Sequence, residues 1–99
     1  GGYALDEQTG LVYLCGVGGI LCYDPQTRQV LNSSTSKFLE ADDPLTGFYS
    51  GLLIDDSRRQ LYVADFSNDK ILVYSLSNRQ KVTEYPGSDG PQFFLYHSE

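Results

Sequence analysis

Few side chains in this sequence have the type and spacing for chemistry, and each also has a plain structural role. Cys15 and Cys22 can be joined in a disulfide or can bind a metal. They fall on adjacent strands of an expected hairpin. If the turn at 16–19 joins those strands directly, Cys22 lies nearer Tyr13 than Cys15, a diagonal geometry that strains a disulfide. The favoured reading is two small, reduced, buried residues. Zinc would need further ligands, and the only imidazole, His97, is distant. A histidine so close to the end of the chain does not anchor a Ser-His-Asp arrangement, and it is read as a surface residue. Asp65, Asn68 and Asp69 suggest calcium, yet they lack the alternating ligands and closing Glu of a calcium loop. Asx residues so placed cap a tight turn. Asp6 and Asp55 are read the same way. No catalytic, metal or cofactor residue is expected.

The elements that would position these residues come in two copies. Residues 4–14, ALDEQTGLVYL, align with 53–63, LIDDSRRQLYV. ILCY at 20–23 aligns with ILVY at 71–74, and Arg28-Gln29 with Arg79-Gln80. The offset is 49 before the second turn and 51 after it, because the second copy carries a longer turn. Each copy reads as four short strands bounded by Gly, Asp, Asn and Pro. The first has strands at 3–6, 11–15, 20–24 and about 28–33, and the second at 51–55, 60–64, 71–76 and 80–85. Ser36–Ala41 could make one helical turn but has no sustained period. The expected fold class is all-β: two four-stranded antiparallel blades, an incomplete β-propeller. The first blade with its linker covers 1–47. The second, with the start of a further blade, covers 48–99.

The middle strands are apolar on both faces. Leu61 and Val63 oppose Tyr62 and Ala64, and Ile71 and Val73 oppose Leu72 and Tyr74. A sheet with one wet face would alternate apolar with polar. Leu61, Val63, Ile71 and Val73 are therefore expected to lie between sheets and to carry the stability of the second unit. The fourth strands are more polar, as at an outer rim.

Composition narrows the function. The 99 residues hold 13 acids against 7 bases, for a net charge of −6. That excludes a nucleic-acid surface, which needs clustered Lys and Arg. No apolar run has the length of a membrane span. The chain opens Gly-Gly without Met, as a piece cut from a longer protein would. Asn32-Ser33-Ser34 fits a glycosylation sequon and permits a secretory route, with a cytoplasmic one equally open.

GLLIDDSRRQL at 51–61 followed by YVADFSNDKILVY at 62–74 resembles the NHL-type repeat. It is also similar to blades of the gluconolactonase/senescence-marker and strictosidine-synthase-like groups. The first unit resembles the pattern in outline, with Gly16-Val17-Gly18-Gly19 replacing the longer turn. The resemblance implies propeller blades and leaves function open. In the lactonase group it implies a metal-binding Asn just before the Gly that opens an inner strand. Ser50 and Gly1 stand at those positions here, and neither is a good divalent-metal ligand.

Two blades alone would leave large apolar faces in water. The chain starts on an inner strand and stops after Pro91–Ser98, which resembles the lead-in at Pro44–Ser50. The leading expectation is a non-enzymatic binding or assembly module. It would be completed by self-association, three copies giving six blades, or by the remaining blades of a longer protein. The alternative is a segment of a lactonase-like propeller hydrolase with its site mostly elsewhere. Tyr3, Phe48, Tyr49, Phe66, Phe93, Phe94 and Tyr96 are the candidate interface residues, since aromatics concentrate at interface hot spots. Phe93, Phe94 and Tyr96 would meet the Gly1–Asp6 strand of a neighbouring copy.

Overall fold

The computed structural model describes residues 2–32 and 37–87. Among these the protein is all-β and has no helix. The strands are β1 (Tyr3–Leu5), β2 (Val12–Gly16), β3 (Gly19–Asp24), β4 (Gln29–Val30), β5 (Leu39–Glu40), β6 (Tyr49–Asp55), β7 (Gln60–Asp65), β8 (Lys70–Ser75) and β9 (Lys81–Pro86). They form two antiparallel sheets, β1-β2-β3-β4 and β6-β7-β8-β9, each a meander of neighbours in sequence. The two-copy pattern is thus realised as two sheets of the same strand order.

One turn design closes nearly every hairpin. Asp6, Asp24, Asp55 and Asp65 each end or follow a strand and accept a backbone N–H two or three residues on. The donors are Gln8 at 3.1 Å, Gln26 at 2.9 Å, Arg58 at 3.2 Å and Asn68 at 3.3 Å. Ser75 does the same with its hydroxyl toward Ser77, at 3.2 Å. Four residues after each of these caps, the backbone enters the left-handed region, at Gly10, Arg28, Arg59, Asp69 and Arg79. A short acceptor side chain followed by one residue of positive φ reverses the strand without a longer loop. The expected turn role of Asp6 and Asp55 is what the hydrogen bonds perform.

The first sheet differs from the expected meander at its fourth strand. β4 is only two residues long, against an expected strand of about 28–33. The start of β3 is paired instead by β5, with Gly19 opposite Glu40 and Ile20 opposite Leu39. Leu39 and Glu40, from the segment with the possible helical turn, are therefore strand. The reason lies in the glycine turn. A Cβ at Gly19, whose φ is +140°, would collide with the Leu39 carbonyl, so only glycine lets β5 approach.

The core lies between the sheets. Tyr13, Cys15, Ile20 and Cys22 face Leu61, Val63 and Leu72, with Tyr49, Phe38, Leu39 and Ala41 closing the sides. Tyr62, Ile71 and Val73 form a separate buried cluster with Leu53 on the second sheet's other face. The alternation expected for β7 and β8 is observed, with Leu61 opposite Tyr74, Tyr62 opposite Val73 and Val63 opposite Leu72. Of the four residues expected to stabilise this unit, Leu61 and Val63 sit in the inter-sheet core and Ile71 and Val73 in the second cluster. All four are buried.

Two further contacts lock the sheets together. Arg59, in the β6–β7 turn, donates to both oxygens of Asp6 after β1, at 3.0 and 2.6 Å. Arg79, in the β8–β9 turn, lies 4.6 Å over the Phe38 ring, which meets Tyr13 edge-on at 4.9 Å.

Candidate functional site

The outer face of the first sheet is open and apolar. Directly opposed residues in an antiparallel sheet share a face, so the register defines two rows. Tyr3, Leu14 and Leu21 form one row; Leu5, Val12, Tyr23 and Val30 form the other. Tyr3 is 74% exposed, Leu5 52%, Leu14 39% and Val30 50%, while Val12, Leu21 and Tyr23 are half-buried. The alternating residues Tyr13, Cys15, Ile20 and Cys22 are buried against the second sheet. A sheet with one face in the core and the other in solvent ordinarily carries polar side chains outside. This one carries aromatic and branched apolar ones on both faces.

The first strands of the two sheets come close to each other. A Cβ on Gly2 would stand 3.4 Å from the Gly51 Cα and 3.5 Å from the Ser50 carbonyl, so β1 and β6 meet backbone to backbone. Gly2 also donates its N–H to the Cys15 Sγ at 3.1 Å.

A second apolar patch lies at the end of the sheets where the 16–19 turn falls. Phe48 and Phe66 meet edge-on at 6.1 Å, Val17 forms a bridge with Phe48, and Phe66 donates its backbone N–H to the Phe48 carbonyl at 3.0 Å. Phe66 and Val17 are well exposed and Phe48 is half-buried.

The candidate residues therefore separate. Tyr3 belongs to the open sheet face, and Phe48 and Phe66 to the loop-end patch. Tyr49 belongs to neither. The sequence placed it in a lead-in at the surface, but it is the first residue of β6, paired with Asp65 and fully buried. The register shifts between Tyr49 and Gly51, leaving Ser50 as a bulge, and a bulge re-aims the flanking side chain. Its phenol is raised well above the ordinary tyrosine range, first by burial and then by the neighbouring Tyr74. Phe93, Phe94, Tyr96 and His97 lie outside the described residues. So do Gly1 and the Ser33-Ser34 part of the sequon.

The residues with chemical potential are held in local structure. Cys15 and Cys22 are buried and free, with Cys15 opposite Ile20 and Cys22 opposite Tyr13, the diagonal arrangement expected. Burial foremost raises the Cys22 thiol, and burial raises Tyr13 to about 12. Asp65 is buried, and its second oxygen accepts from the Asn68 side chain at 2.9 Å. The hydroxyl of Ser50 reaches the Ala64 carbonyl at 3.5 Å. Among the described residues no group of three or more His, Cys, Asp and Glu could hold a metal ion. On the second sheet, Tyr62, Val73, Val82, Thr83 and Tyr85, with Arg58 and Gln60, line an open cavity of about 320 Å³.

Leu5, Leu14 and Val30 were not among the expected surface residues. The signal was present, because the test that found both faces of β7 and β8 apolar finds the same in YALD, LVYLC and ILCYD.

The arrangement defines an all-β protein of two packed antiparallel sheets with one apolar face left open. No protein-family model matches the chain, and no curated protein or solved structure is significantly similar to it.

Proposed function

We propose that this chain is a non-enzymatic β-propeller-type module, two NHL-like blades, that works by binding and assembly. Its working surface is the outer face of the first sheet, which takes a further blade. The observation that carries this reading is the pair of apolar rows Tyr3-Leu14-Leu21 and Leu5-Val12-Tyr23-Val30, open to solvent on a sheet whose other face is fully packed. Contiguous apolar surface of this kind marks an interaction site. The close approach of β1 to β6 supports the radial arrangement of blades around an axis. Three copies of the chain would supply six blades, and the remaining blades of a longer protein would serve equally.

Leu5→Lys and Leu14→Lys test the reading. Both side chains are at the surface, so far-ultraviolet circular dichroism should keep its strand signature. The unsubstituted chain should bind an apolar dye or associate, and each variant should lose that property. Dye binding and association unchanged in both variants would remove this face from the function.

A further inference from the structure

The interface inside the chain is a template for the surface left open. In the second sheet, the rows facing the first are Leu52-Val63-Leu72 and Ile54-Leu61-Tyr74. Under the repeat alignment these are the counterparts of Tyr3-Leu14-Leu21 and Leu5-Val12-Tyr23. The open face of the first sheet is therefore the same surface that the second sheet uses to seat on the first. Its natural complement is the counterpart of Tyr13, Cys15, Ile20 and Cys22, which is Tyr62, Ala64, Ile71 and Val73 on the second sheet's outer face.

Resting on the assembly reading above, we propose that the partner is a second copy of this chain, docked head to tail. The first sheet of one copy seats on the second sheet of the next, as the two sheets seat within each copy. Each contact then joins unlike surfaces, and the same pair of surfaces is left at the two ends of an assembly until a ring closes.

The seat has the chemistry the template requires. It presents Leu53, Tyr62 and Val73 in one row and Ala64 and Ile71 in the next, small and branched residues like those under the existing interface. Tyr62, Ile71 and Val73 are buried within the single chain, so docking has to displace what covers them; Tyr62, Val73 and Tyr85 line a cavity of about 320 Å³ at which that displacement can begin. Among the described residues, the acid at the junction's counterpart position is already paired. Asp55, the counterpart of Asp6, is already held by Arg58 at 2.7 Å and Ser57 at 2.9 Å. The counterpart of Arg59 is Gly10, whose surroundings are empty. Both residues have positive φ, 52° at Arg59 and 77° at Gly10, so the turn that meets the neighbour has the same form. Because the seat is partly closed in the single chain, docking should be slower than the usual association of preformed surfaces.

Two variants, each blocking one surface, decide the arrangement. Leu14→Lys charges the open face. Thr83→Arg charges the seat, on exposed β9 beside Val73. In sedimentation velocity at micromolar concentration the unsubstituted chain should associate, and each variant alone should remain near the 11.0 kDa of one chain. An equimolar mixture should give a species of about twice that mass, because each variant retains the surface the other lacks. If Leu14→Lys does not keep its strand spectrum, Leu5→Lys replaces it. A Thr83→Arg chain that still dimerises alone would mean that open faces pair with each other, overturning the head-to-tail arrangement. An unsubstituted chain that stays at 11.0 kDa while its dye binding remains sensitive to Leu14→Lys would overturn the second copy as partner, leaving the assembly reading intact.

Discussion

At the scale of single residues, the decisive interaction is the Asp6–Arg59 pair. Asp6 is fully buried, and Arg59 keeps 27% of its side-chain surface in water. The carboxylate is committed by its position after β1, and the guanidinium reaches it from the other sheet. Removing one partner of such a pair strands the other. Arg59→Ala should therefore cost about 3 kcal/mol, the low end for a buried pair because the guanidinium is partly solvated. Arg58→Ala should cost at most about 1 kcal/mol, since Arg58 is largely exposed and Asp55 keeps Ser57 and a backbone donor. Urea titrations of the two variants give both numbers.

The same carboxylates set the acid response. The Arg59 hydrogen bonds, ahead of the opposing effect of burial, lower Asp6. Burial pushes Asp55 upward, but Arg58, Ser57 and the backbone together outweigh it and hold it at about 2. A carboxylate lowered in the fold contributes stability that is complete above its unfolded value and is lost as pH falls through its folded value. For Asp55 that window runs from 3.8 down to about 2. Stability should be flat with pH above about 5 and fall across this window. Replacing Asp55 with Asn should flatten the fall, and an unchanged slope would show that other groups govern it. The thiols are a separate check. Cys15 and Cys22 are buried and free, so both should react with a thiol reagent on unfolding and only slowly before it.

At the scale of elements, the turns and strand faces were legible because they depend on local chemistry. An Asp at a strand end and an alternating apolar strand beside it can be read from neighbours in sequence, whereas the left-handed backbone at Arg28, Arg59 and Arg79 carries no residue-type signal. The all-β class and the separate faces of β7 and β8 followed from that. What escaped was non-local. The pairing of β5 with β3 depends on Gly19 meeting a backbone twenty residues away in sequence. The inward turn of Tyr49 depends on a bulge defined only by the partner strand. An open apolar face was expected, but Leu5, Leu14 and Val30 were not assigned to it, because apolar residues on both faces look alike until one face is seen to be covered.

The two buried faces of the second sheet give a test at this scale. Leu61→Ala and Ile71→Ala each remove a fully buried branched side chain, one from the inter-sheet core and one from the opposite cluster. Both should cost about 2–5 kcal/mol. A loss below about half a kcal/mol for Ile71 would mean that the second cluster is open in solution, and that the second sheet is covered on one side only.

At the scale of the whole molecule, the two sheets and their repeat determine how association should respond to salt. Within the chain, the sheet junction is sealed by an ion pair, Arg59 with Asp6. Between copies, the corresponding positions are Gly10 and an Asp55 already satisfied by its own unit. The proposed contact therefore buries apolar rows and adds no charge pair. Each copy also carries a net charge of −6, so two copies repel at low ionic strength. Added salt screens that repulsion and has no attractive pair to weaken. The dissociation constant should consequently fall, by about two- to fivefold, as sodium chloride is raised from tens of millimolar to several hundred. Sedimentation equilibrium across that range measures it. A tenfold or greater weakening would show that a charge pair directs the contact, which the head-to-tail template does not contain.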